Sequence, residues 1–357
     1  MHLPKIVSKH KSAIFMLFGL VAFILYLGFF VGIGSLLELI SKLNFEQYSL
    51  YYSIAIAALF LSVFFDSMIW HSLLRGLKVK MKLRKVLLYN WIGNFVEMVI
   101  PCETVCGEVT RIYLARKETH ENVGTTAAPI ITSRILSTFV YTGGLLVGSL
   151  VLVATQKMPV YLLGTLLLVS VGTIGLMSVV LFLALKEGAA EKLVSVFMAL
   201  MKIVTKSREK QEVQREKLRV PLYSFSEAFR TYKKQPKLLV KPMIYALIAW
   251  FFTLLVYMMV FYSLNFTSIS LVDLAMVYCV SSTVETITAG FPVGAVEITM
   301  ISLYSALGVP LVIAVAATTL TRLLTFWCQI IVGYPIFQLT GLKNILKGGF
   351  SDALIEN

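Results

Sequence analysis

Residues 86–139 read VLLYNWIGNFVEMVIPCETVCGEVTRIYLARKETHENVGTTAAPIITSRILSTF, and this stretch decides the fold. It opens apolar, yet Val86 to Ile100 is only 15 residues, whereas crossing a bilayer core takes about 20 helical residues. The segment is therefore expected to enter a membrane and turn back. Pro101 lacks the amide that would continue the helix and biases Ile100 away from helical dihedrals, so the break belongs there. A second, polar helix start is expected at Gly107-Glu108-Val109-Thr110-Arg111, followed by a long apolar helix with one cation, Arg134. Two carboxylates, Glu97 and Glu108, and two guanidiniums, Arg111 and Arg134, are costly at membrane depth unless they pair or handle something.

Composition places the rest of the chain in the same setting. Hydrophobic residues make up 58% and charged residues 14%, against about 25% charged in soluble domains. The net charge of +13 does not imply nucleic acid, because the basic residues cluster beside apolar runs, where positive-inside topology and anionic lipid account for them. Cys102 and Cys106 form a CxxxC pair without neighbouring histidines. With Cys279 and Cys328 they read as structural thiols rather than zinc ligands. The uncharged run Ser12 to Leu37 is too long for a signal peptide and reads as the first span.

Lys5, Lys9 and Lys11 precede that span, which puts the N-terminus in the cytoplasm. A second span covers roughly Gln47 to His71 and returns to Arg75, Lys78, Lys80, Lys82, Arg84 and Lys85. Asn122 to Gln156 and Met158 to Leu185 supply two more. From Lys186 to Lys241 lies a basic insertion with 14 Lys or Arg against 6 Glu. Within it Phe225, Ala228, Phe229 and Tyr232 share one helical face suited to the inner leaflet; a solvated regulatory arm is the other reading. Spans from Pro242 to Val272 and from about Gly308 to Phe337 follow. Both termini are then cytoplasmic in a multi-pass protein of the cell membrane. Asp66 and His71 read as interfacial anchors.

Between the last two spans, Asp273 to Phe291 is a second broken segment, with Glu285, then Pro292, Gly294 and Glu297. The two broken segments match. Glu97, Pro101 and Glu108 lead after 26 positions to Arg134, and Glu285, Pro292 and Glu297 lead after 25 to Arg322. Thr132-Ser133-Arg134-Ile135-Leu136-Ser137-Thr138-Phe139 resembles Leu320-Thr321-Arg322-Leu323-Leu324-Thr325-Phe326. By the topology above the two units open to opposite sides, an inverted repeat of the kind found in transporters with discontinuous helices. The expected architecture is an all-α polytopic membrane protein with about six full transmembrane helices and two re-entrant broken helices. A single membrane domain would cover residues 1–357, with repeat 1 at about 47–185, the cytoplasmic insertion at 186–241 and repeat 2 at about 242–340.

Arg134, Ser137, Thr138 and Tyr141 recur at helical spacing on one face, and so do Thr318, Thr319, Arg322, Thr325 and Gln329. Two guanidiniums across a cavity bind a phosphate or another anion bidentately. Glu108 and Glu297, with Arg111, Glu97 and Glu285 nearby, would counter the arginines when the site is empty. Pro101, Gly107, Pro292 and Gly294 mark the helix breaks. The competing reading is architectural: Glu108 pairs with Arg134 or Arg111, and Glu297 with Arg322, to hold each broken helix in place.

The Gly93-Asn94 to Pro101 run, Gly107-Glu108 with Arg111 and Arg134, and the Pro292, Glu297, Arg322 set together resemble the flippase-like membrane domain of lysylphosphatidylglycerol synthases. The resemblance covers nearly the whole chain and is to stand-alone prokaryotic members of that family. It implies movement of a charged lipid between leaflets, so the expected partner is an anionic, aminoacylated or glycosylated membrane lipid. The chain stops about 20 residues after the last span, so the soluble synthase activity is not expected here. A separate lipid-modifying enzyme and a homo-oligomer stay open as partners. No GxxxxGK[ST] run is present, and the four histidines make no metal-ligand spacing. A non-enzymatic flippase or facilitator without cofactor or metal is therefore the expectation. A secondary transporter for a small anionic solute is the alternative.

Overall fold

The computed structural model describes residues 44–99, 103–154, 227–287 and 292–339, with isolated positions elsewhere. Within these residues the chain is all helix. Helix α1 spans Phe45–Gly76 and α2 Leu83–Val99; α3 is Glu103–Thr119 and α4 Val123–Ala154. Then come α5, Lys237–Ser263; α6, Leu271–Ile287; α7, Pro292–Ala306; and α8, Leu311–Arg322. The last runs through a π-helical segment, Leu323–Cys328, into α9, Gln329–Leu339. Among the described residues four helices are long and apolar enough to cross a membrane: α1, α4, α5 and the continuous α8–α9 rod, Leu311–Leu339. Two further expected spans, Ser12–Leu37 and Met158–Leu185, lie outside the described residues, as does Pro101.

Local chemistry sets the ends of these helices. Asn44 caps α1, its side-chain oxygen accepting from the amides of Glu46 at 3.0 Å and Gln47 at 3.4 Å. Such a cap satisfies amides that the first turn leaves open. Beyond the other end, Lys78 turns the chain with φ 61°. The span expected from Pro242 to Val272 instead begins at Lys237 and stops at Ser263. Pro242 is accommodated early in the helix, and Asn265, with φ 58°, redirects the chain. Asparagine tolerates that left-handed conformation better than most residues.

Helix α5 lies along α1. The Ser62 and Thr253 hydroxyls are 2.8 Å apart, and Phe65 stacks on Phe252 with ring centroids 5.7 Å apart. This packing already ties the first half of the chain (α1–α4) to the second (α5–α9), α5 also packs on α4, and two further packings join the halves. Helix α2 packs on α9 where Gly333 meets Phe95: a Cβ on Gly333 would fall 2.6 Å from that of Phe95. Helix α6 packs on α4, and the Cys279 thiol approaches the Tyr141 carbonyl at 3.1 Å.

The face of Phe225, Ala228, Phe229 and Tyr232 does not lie on a leaflet. It packs on the bundle, with Ala228, Phe229 and Tyr232 buried among Leu77, Ala128, Ile131 and Ile135 and the core beside α1. The Tyr232 hydroxyl donates to the Leu73 carbonyl at 3.0 Å. The apolar stripe that sequence assigned to lipid is satisfied by protein. Cys106 is disulfide-bonded rather than a thiol, while Cys279 and Cys328 are free.

Candidate functional site

Helices α2 and α3 are 17 residues each, shorter than the four candidate spans, and they pack against each other. Glu97 lies near the end of α2, Glu108 near the start of α3, and Arg134 on the long helix that follows. The three side chains converge. Arg134 donates from Nε to Glu108 Oε1 at 2.8 Å and from Nη2 to Glu97 Oε1 at 2.6 Å. Arg111, one turn after Glu108, adds a second guanidinium, 3.3 Å from Glu108 Oε1 and 3.6 Å from Glu97 Oε2. Two carboxylates and two cations make the cluster formally neutral.

Two glycines allow this convergence. A Cβ on Gly93 would lie 2.7 Å from Arg111 Cγ, and one on Gly107 would lie 2.8 Å from the Gly93 carbonyl and 2.9 Å from Glu97 Oε2. Gly107 is thus no helix break. It sits inside α3, which begins at Glu103, and its missing side chain lets α3 approach α2 closely.

The second half repeats the arrangement. Arg322 donates from Nε to Glu297 Oε1 at 2.7 Å and from Nη1 to Glu285 Oε1 at 3.0 Å. Helix α7 starts at Pro292, and Gly294, with φ 99°, gives its amide to Glu297 Oε2 at 2.6 Å. The Glu297 carboxylate therefore caps its own helix while holding the arginine. The Arg322 guanidinium also lies 4.8 Å above the Phe326 ring, a cation–π contact.

Glu97 and Glu285, read from sequence as either cavity-facing or capping groups, prove to be the second carboxylate of each arginine. The geometry is that of the architectural reading, an ion-pair cluster within each half. The two differ in depth. The Arg134 side chain is 45% exposed in the described structure, whereas that of Arg322 is 6% exposed. Arg322 Nη2 is buried with no hydrogen-bond partner among the described residues, and the same holds for Glu108 Oε2 and Arg111 Nε.

Sequence reading missed the polar bridge between the halves. Asn94 accepts from Arg111 Nη2 through Oδ1 and donates through Nδ2 to Gln329 Oε1 at 3.0 Å. Asn90, one turn earlier, donates to Asp66 at 3.0 Å and to the Ser67 hydroxyl at 2.9 Å. Asp66, half-buried on α1, is thus an acceptor for α2. The missed signal was two asparagines four residues apart in a short apolar helix, a pattern that puts both amides on one face. Among the described residues no group of three or more His, Cys, Asp or Glu is placed to hold a metal ion.

Long apolar helices bracketing short ones, with ionisable side chains paired in their midst, define a polytopic α-helical membrane protein. The chain belongs to the family described as the lysylphosphatidylglycerol synthase TM region, whose model matches residues 16–333. It is similar to a UPF0104 membrane protein of Methanothermobacter thermautotrophicus, 23% identical over 322 residues, covering 89% of this chain and 92% of the relative. A UPF0104 membrane protein of Pyrococcus horikoshii is likewise 23% identical, over 323 residues, covering 88% and 92%. No solved structure matches the chain.

Proposed function

We propose that this protein is a lipid flippase or facilitator that moves a phospholipid or glycolipid with a charged headgroup between leaflets, without enzymatic chemistry of its own. The two Arg–Glu clusters sit where two pairs of short helices meet, and in this reading each pair is a re-entrant element of one inverted repeat. The observation that carries the reading is Arg322, a buried guanidinium with two donors used by glutamates and Nη2 without a partner among the described residues. A buried donor left unmade costs about 1–3 kcal/mol, and a phosphate oxygen would satisfy it with a charge-assisted bond. Membership of a family of lipid-synthase membrane regions supports a lipid substrate.

On this reading the glutamates hold each guanidinium in shape while the site is empty and yield part of it when the headgroup phosphate arrives. The acyl tails stay in the bilayer while the halves rock about the site. The test is leaflet exchange of fluorescent phospholipids in liposomes containing the purified protein, read by quenching of the outer leaflet, with Glu108→Ala and Arg134→Gln alongside. Exchange that falls to the protein-free rate in both variants is expected. Exchange at the wild-type rate in both, or none in wild type with any anionic, aminoacylated or glycosylated lipid, defeats the proposal.

A further inference from the structure

The helix at residues 227–234 has two faces. Ala228, Phe229 and Tyr232 are buried against α1 and α4, and the Tyr232 hydroxyl donates to the Leu73 carbonyl at 3.0 Å. Its neighbours on α4 include Ile131 and Ile135, about two and three turns into that helix. The docked helix therefore lies beside the bundle rather than beyond its end, and the side away from its buried residues looks away from protein. Lys233 and Lys234, outside the buried face, are both exposed.

The same end of the bundle gathers further cations. Helix α5 runs antiparallel to α1: Ser62 meets Thr253, and a Cβ on Gly76 would lie 3.6 Å from both Leu238 and Tyr232. Arg75, Lys233 and Lys237 are the sequence neighbours of these three contacting residues, so the basic ends of α1, α5 and the docked helix meet at one place. His71, one turn before Arg75, is within electrostatic reach of both Arg75 and Lys241. After α1 the chain is extended. Val79 and Met81 are buried in the core beside α2, while Lys78 and Lys80, alternating with them, are exposed.

These cations lack carboxylate partners. Glu118 is taken by Lys85, at 3.3 Å, and by the Tyr89 hydroxyl. Among the described residues Arg75, Lys78, Lys80, Lys233, Lys234 and Lys237 are in no ion pair. Six like charges around one end of a bundle repel one another unless an anion lies among them. Helix length sets their level. The 27 residues of α5 measure about 40 Å, against about 30 Å of hydrocarbon. Its first turns, where Lys237 and Lys241 share a face, therefore reach the phosphate layer.

We infer that this basic rim is a docking surface for anionic phospholipid headgroups of the adjoining leaflet, with Lys233, Lys234 and Lys237 on one side of it and Arg75, Lys78 and Lys80 on the other. The docked helix thus meets lipid through its basic side, while its apolar face is occupied by protein. Clustered lysines and arginines beside a span hold lipid phosphates by charge and by charge-assisted hydrogen bonds. The lipid held here is a bound component of the rim, not cargo. The rim contains no residue of either Arg–Glu cluster, so the inference stands apart from the flippase reading.

The experiment is the thermal unfolding midpoint of the purified full-length protein in a neutral detergent, as phosphatidylserine or phosphatidylcholine is added to the micelles at fixed pH. A saturable rise specific to phosphatidylserine, weakening as salt is added, is expected. Each cation at an anionic surface strengthens binding by about fivefold, so Lys233→Gln/Lys234→Gln/Lys237→Gln should weaken the apparent affinity by about tenfold or more. Arg75→Gln/Lys80→Gln should weaken it from the other side. All five positions are exposed, and if one variant fails to fold the other still decides. Equal midpoints in the two lipids overturn the inference. A phosphatidylserine response unchanged in both variants also overturns it and moves the lipid to the Arg–Glu clusters. The same rise from soluble glycerol phosphate overturns it in favour of a free anion. Leaflet exchange is not read in this assay, so failure here is distinct from failure of the flippase reading.

Discussion

Replacing either cluster arginine, Arg134 or Arg322, removes the same two kinds of hydrogen bond, yet the structure sets very different costs. Arg322→Gln removes bonds of 2.7 and 3.0 Å to Glu297 and Glu285. It leaves Glu297, whose side chain is 4% exposed, with only the Gly294 amide. Each hydrogen bond to a charged group contributes about 1.5–3 kcal/mol, and breaking a buried pair by removing one partner costs about 3–5 kcal/mol, mostly through the charge left behind. The expected loss for Arg322→Gln is thus about 4 kcal/mol. Arg134→Gln also removes two bonds, but Arg111 remains 3.3 Å from Glu108 and 3.6 Å from Glu97, so neither carboxylate is stranded and about 1 kcal/mol is expected. The stranded charge makes a further demand. Arg322→Gln/Glu297→Gln removes both members and should be more stable than Arg322→Gln alone, with a coupling energy of about 2 kcal/mol or more. Equilibrium unfolding of the purified variants in mixed micelles, titrated with a denaturing detergent, measures all of these. Equal losses at Arg322 and Arg134, or a double variant whose loss is the sum of the two single ones, would refute the stranded-charge argument.

Three more outcomes follow from particular contacts. Gly93→Ala puts a methyl 2.7 Å from Arg111 Cγ and should cost about 1–3 kcal/mol by overpacking, which a thermal unfolding midpoint will register. Phe229→Ala should cost about 3 kcal/mol and Tyr232→Phe about 1 kcal/mol if the helix at 227–234 is docked on the bundle, whereas a leaflet-bound helix would leave the unfolding midpoint in detergent unchanged by either. Glu118 accepts from the Tyr89 hydroxyl at 2.9 Å and lies 3.3 Å from Lys85; these partners hold its carboxyl below the usual range, the tyrosine bond first. A depressed carboxylate contributes stability above its unfolded-state value and loses it as pH falls through the folded one, so Glu118→Gln should narrow the difference in stability between neutral and acidic pH by less than about 1 kcal/mol.

Much of this was legible in sequence because membrane burial makes charges rare and therefore informative. Glu97, Glu108, Arg134 and their counterparts Glu285, Glu297 and Arg322 stood out against apolar runs, and the matching intervals between them disclosed the second cluster. The pairing of Glu97 and Glu285 with the arginines was not legible, since it depends on how the first arm of each short pair packs beside a helix 37 residues further along. Gly107 misled for a related reason. Beside a proline and a polar run, glycine reads as a break, but its use here is close approach of α3 to α2, a tertiary fact. The Phe229 face misled because a stripe of aromatic and small residues buries equally well against lipid or protein, and periodicity does not distinguish them.

The last rod shows why one polar stripe could not be extended by counting. Thr318 and Arg322 share a face of α8, and a 3.6-residue period carries that face on to Thr325 and Gln329. The chain instead passes through a π-helical segment at Leu323–Cys328, which inserts an extra residue into the turn. At about 100° per residue, one added residue swings everything after it to another face. Arg322 thus stays with Glu297 and Glu285 in the second half, while Gln329 is aimed at Asn94 in the first. Asn94 in turn holds Arg111. One rod therefore belongs to both halves: α8 is fixed by α7 and the Arg322 cluster, α9 is fixed by α2 through Asn94 and the Phe95–Gly333 contact, and the π turn lies between the two attachments. Within this rod, relative movement of its two attachments has to pass through those six residues or break the Asn94–Gln329 bridge, while the α1–α5 and α4–α6 packings join the halves elsewhere.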